Sequence, residues 1–189
     1  MQRAPFLAIM LWLSITLPAH ATESITVLGL PLGGKLPMPI RQCSTQELGA
    51  DVRSLCWVSA PDVIKGARSG HLQVPGADQR PKWAAYGSFT AWIGKDGTVH
   101  SFDVRTSSAD QFVEIMNSIT GRFGQPERAS RPGSANMSAE WPRKDINIRS
   151  LCSSSIGCNT TFTSGAKHAE HLKELAARTA KDAARPASP

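Results

Sequence analysis

Beyond its N-terminus the chain has no long apolar run, and it contains one tyrosine and four cysteines. Each scarcity excludes something. With no later segment near the roughly 20 apolar residues that a spanning helix needs, no transmembrane span is expected in the rest of the chain. None of the gaps between Cys43, Cys56, Cys152 and Cys158 falls in the spacing of about two to four residues that zinc knuckles use, so no metal is expected. There is no G-x-S-x-G elbow and no H-E-x-x-H, which removes the sequence grounds for a serine hydrolase or a zinc protease. Gly29 to Leu36 approaches a phosphate-binding loop, but Leu36 stands where that loop needs a Ser or Thr for magnesium. Pro37 and Pro39 then disfavour the helix that must follow. No cofactor is expected, and no internal repeat is visible.

What is present begins with a secretory pattern. Arg3 precedes an apolar stretch, Phe6 to Leu17, which Pro18 ends and Ala19-His20-Ala21 follows as a small-x-small cleavage site. Residues 1–21 therefore read as a signal peptide, and the mature chain is expected to start near Thr22. An exported chain meets an oxidising compartment, where thiols pair. Four cysteines allow three connectivities. The local one, Cys43–Cys56 and Cys152–Cys158, closes the shortest loops and is the expectation. The formal net charge is +6, and loss of Arg3 with the signal lowers it by one. Such an excess suits an anionic surface such as lipid headgroups or cell-wall polymers, and export makes nucleic acid an unexpected partner.

The mature chain divides into a loop-rich N-terminal segment with one disulfide (22–82), an α+β core (83–164), and a C-terminal helix with a disordered tail (165–189). In the first segment Ser24 to Leu32 starts as a strand broken at Gly29 and Pro31. A short helix is expected near Ser44, with Glu47 completing a capping box. Cys56 to Val58 reads as a short buried strand. Pro61 to Lys82, rich in Pro and Gly, reads as one long irregular loop.

The core reads more sharply. Phe89, Ala91 and Ile93 alternate on one strand face, Gly94 to Gly97 is a turn, and Phe102 and Val104 face inward on the returning strand. A helix capped by Ser107 or Ser108 follows, with Phe112, Ile115, Met116, Ile119 and Phe123 as its apolar stripe. Three strands then run from Asn136, Ile146 and Cys158. The pattern predicts an antiparallel β-sheet packed against an amphipathic helix.

No catalytic constellation emerges. His168, His171 and Glu174 share one face of the C-terminal helix at a spacing a metal would tolerate, but no further ligand joins them, and a solvated face accounts for them. Among the tryptophans, Trp92 alternates away from Phe89, Ala91 and Ile93, which places it on the less buried sheet face. Trp92, together with Lys65, Arg68, Arg80 and Lys82 of the long segment, forms the candidate binding set. The expectation is an exported bacterial protein, periplasmic or secreted, with a non-enzymatic binding role toward a protein or cell-envelope component. Alternatives are a small cell-wall-acting hydrolase or inhibitor, and an accessory subunit of an envelope assembly docking through its C-terminal helix.

Overall fold

Alternating apolar residues need a partner layer, and a single helix supplies much of it. The structure, a computed structural model, describes residues 24–49 and 51–183. The expected signal peptide and the expected disordered tail, Arg185 to Pro189, lie outside the described residues. Eleven strands join one sheet: β1 (Ile25–Val27), β2 (Leu30–Leu32), β3 (Cys56–Trp57), β4 (Asp62–Ile64), β5 (Ala67–Gln73), β6 (Ser88–Ile93), β7 (Val99–Thr106), β8 (Arg128–Ala129), β9 (Asn136–Pro142), β10 (Ile146–Ser153) and β11 (Gly157–Ser164). Its order is β3-β5-β6-β7-β11-β10-β9-β8, with β4 beside β5. The neighbours along this path are antiparallel, and the β1–β2 hairpin attaches to β7 through a parallel contact of Leu32 with Val99.

The helices are α1 (Lys82–Ala85), α2 (Phe112–Phe123) and α3 (Gly165–Ala183). Helix α2 connects β7 to the β8–β11 region and buries Phe112, Ile115 and Ile119 against the inner sheet face. That face carries Phe89, Ala91, Ile93, Phe102, Val104, Ala139, Trp141, Ile148 and Phe162, all buried. The Phe102 and Phe162 rings stack across β7 and β11 at 4.8 Å between centroids. Burying each such side chain contributes about 1.5–3 kcal/mol, so this face holds the protein together. The expected α+β architecture, with a mostly antiparallel sheet, is the one observed. Among the described residues no helix is long and apolar enough to cross a membrane.

Both expected disulfides are formed. Cys152 and Cys158 oppose each other directly on β10 and β11, with Cα atoms 4.0 Å apart. The Cys43–Cys56 bridge, at 5.0 Å, has a cause that sequence did not suggest. Residues 41–43 run alongside β3, where the Trp57 N–H donates to the Arg41 carbonyl and the Cys43 N–H to the Trp57 carbonyl. The short helix expected between these cysteines is a single 3-10 turn, Thr45–Glu47, and its capping box is present.

The reading of Pro61 to Lys82 as one irregular loop is corrected. It holds β4, β5, a 3-10 turn and the start of α1. Lys65 (φ 50°) and Gly66 (φ 81°) both adopt positive φ and form a two-residue hairpin turn between Ile64 and Ala67. Likewise Leu28-Gly29 is a hairpin turn, and Pro31 lies inside β2 instead of ending a strand.

Candidate binding face

Because strand side chains alternate, burying one sheet face turns the other outward. Strand register then fixes which outward residues are neighbours. One row runs Asp62, Ser69, Trp92, Ser101, Thr163, Asn147. The next runs His71, Thr90, Asp103, Thr161, Arg149, Glu140, Arg128. A third runs Ser88, Arg105, Asn159, Leu151, Ser138. All of these side chains are exposed or half-buried. Helix α3 does not cover them: it meets β10 and β11 near its start, and residues 169–180 are exposed throughout.

The face is internally ordered. Asp103 Oδ1 accepts hydrogen bonds from the Thr161 hydroxyl and from Asn159 Nδ2, the latter at 3.4 Å. Thr90 Oγ1 lies 3.1 Å from His71 Nδ1, and Arg149 Nε lies 3.1 Å from Glu140 Oε1. Charges balance: Asp62, Asp103 and Glu140 stand against Arg105, Arg128 and Arg149. The chain's basic excess therefore lies elsewhere.

Trp92 is 38% exposed on this face, whereas Trp57, Trp83 and Trp141 are buried in the core. At the other end of β6 the surface opens into a cleft of about 790 Å³. His71, Gln73 and Ser88 form part of its lining, as do Arg80, Lys82 and Tyr86. Tyr86 is 98% exposed.

The sequence-predicted residues are thus dispersed. Arg80 and Lys82 line the cleft, but the Arg80 guanidinium is committed to structure. It donates to the Val74 and Pro75 carbonyls and lies 4.8 Å over the Phe89 ring, and burial pushes its pKa down. Lys65 sits at the β4–β5 turn, which approaches Lys95. Arg68 pairs with Ile93 and so alternates to the opposite side from Trp92. His168, His171 and Glu174 lie on α3, and no group of three or more potential metal ligands occurs among the described residues.

Sequence reasoning missed Tyr86, the His71–Thr90 pair and Asp103 with its two donors. Alternation gave the outward direction of Asp103 and Thr161, but nothing local announces that β7 pairs with β11. Neither a protein-family model, nor a curated protein, nor a solved structure matches this chain.

Proposed function

We propose that the protein is an exported, non-enzymatic binding protein, periplasmic or secreted, whose outer sheet face engages a component of the cell envelope. The observation that carries this reading is an ordered, charge-balanced polar face of three cross-strand rows, bearing exposed Trp92 and running into a cleft beside exposed Tyr86. Side chains left uncovered yet held in register by mutual hydrogen bonds are preorganised, which lowers the ordering cost of recognition. The secretory pattern and the two disulfides support the expected compartment.

The test is retention of the purified protein on washed envelope fractions, with Trp92→Ala compared against wild type. The expected result is retention that falls about tenfold or more in the variant, as for an aromatic hot spot. Equal retention of both would remove this face from the function. Fractionation and N-terminal sequencing of the expressed protein check the export part, a mature start near Thr22 being expected.

A further inference from the structure

We infer that the ligand of this face is a neutral, extended polysaccharide lying along β6, with Trp92 and Tyr86 as its stacking platforms; the inference rests on the binding role proposed above. The aromatic placement comes first. Ser88, Thr90 and Trp92 share the outer side of β6, and two-residue steps of about 6.6–6.8 Å put Ser88 and Trp92 roughly 13 Å apart. Tyr86 lies beyond Ser88 on the cleft. An exposed aromatic on the strand and another beyond its start, with the polar side chains of Ser88 and Thr90 between them, suit a linear chain of rings better than a single small molecule. An indole or phenol face offers an apolar surface to the C–H face of a pyranose while the sugar's rim stays polar.

The groups between and beside the aromatics are those that read hydroxyls. Thr90 and Ser101 offer hydroxyls that both donate and accept. Asp103 takes both its protein hydrogen bonds on Oδ1. Its Oδ2 accepts none from the described residues, and a carboxylate oxygen held this way is a strong acceptor for a ligand O–H. The charge balance argues against a polyanion, because Asp62, Asp103 and Glu140 offset Arg105, Arg128 and Arg149 across the same surface. A protein partner would be anchored by clustered large apolar residues at a desolvated centre. Here the centre is Asp103, Thr161 and Thr90, with the aromatics at the ends of the path.

Tryptophan fluorescence and calorimetry test this with a defined panel: glucose-based and N-acetylglucosamine-based hexasaccharides, the corresponding monosaccharides, and dextran sulfate as polyanion. The expected result is saturable binding of at least one neutral hexasaccharide, at least about tenfold tighter than its monosaccharide. Trp92→Ala and Asp103→Asn should each weaken it about tenfold or more. Circular dichroism and melting midpoints confirm that the variants fold. Binding of dextran sulfate alone overturns the inference. So does a panel with no binding while envelope retention still depends on Trp92; the binding-face reading then stands without the glycan. If envelope retention is also independent of Trp92, both fall.

Discussion

At the scale of single residues, the hydroxyl pair buried in the sheet shows how the inner face tolerates polar atoms. Ser150 and Thr160 are fully buried, directly opposed on β10 and β11, and 3.1 Å apart. Each satisfies the other. Thr160→Val keeps the volume but leaves the Ser150 hydroxyl without that partner, and should cost about 1–3 kcal/mol in urea unfolding. Replacing both, Ser150→Ala with Thr160→Val, removes the orphan as well as the bond, so the double variant should be more stable than the single one. A double variant less stable than Thr160→Val would show that packing, not hydrogen bonding, governs the site. Glu47 makes a different residue-scale case. Arg41 donates to its two oxygens at 2.6 and 2.5 Å, and the Ser44 N–H and hydroxyl donate as well. The hydrogen bonds from Arg41, then those from Ser44, lower its pKa from 4.5 to about 2. A carboxyl with a depressed folded pKa stabilises above its unfolded value, and the contribution disappears as pH falls through the folded value. The stability gap between wild type and Glu47→Gln should therefore close between about pH 4.5 and about pH 2, and a carbon-detected titration should place the Glu47 midpoint at about 2.

At the scale of elements, what could be read from sequence follows the reach of the forces involved. Strands β6, β7, β9, β10 and β11 and helix α2 are marked by period-2 or period-3.6 apolar spacing, a local signal. Strand β5 (ARSGHLQ) has little such spacing and no β-branched residue, yet it forms because β6 pairs along it and β3 and β4 pair on its other side. Tertiary partners override weak propensity there. Its turn, Lys65-Gly66, carries only half of the usual Asn-Gly signature. The outward direction of Trp92 was legible by alternation, but its neighbours were not, because the β7–β11 pairing joins segments separated by α2 and two hairpins. Helix α3 was legible from composition, and its role is open to experiment. Its start is fixed by the Ser164 hydroxyl, which accepts from the Lys167 N–H, and by the Gly165 N–H donating to the Asp145 carbonyl. Leu172 and Leu175 are each about half exposed. Removing residues 169–189 should therefore change unfolding free energy by less than about 1 kcal/mol, as for other surface changes. A larger loss would mean that α3 packs on the protein in solution. Unchanged stability with lost association in envelope extracts would assign the helix a docking role.

At the scale of the whole molecule, the two bridges act at separate places on one sheet. Cys43–Cys56 ties the segment beside β3, and Cys152–Cys158 closes the β10–β11 hairpin tip. Their sequence separations are 13 and 6. In the chain-entropy view the longer loop gives about 3 kcal/mol and the shorter about 2 kcal/mol. Alanine pairs, which bury no new hydroxyl, should lower the melting midpoint accordingly, by about 6–12 °C for Cys43/Cys56 and about 4–8 °C for Cys152/Cys158. Each variant should keep a cooperative transition, because most of the inner-face core, including Phe102, Phe162, Trp141 and the α2 stripe, is built from side chains other than the bridged cysteines. Distant, independent sites add, so losing both should cost about 5 kcal/mol, the lower end of the total stability of an ordinary domain. The fold would then be marginal when both bridges are absent, although neither bridge alone decides it. Differential scanning calorimetry of the two pairs and of the quadruple variant tests this. If one pair alone abolishes the cooperative transition, that bridge is a condition of folding and not an increment to it.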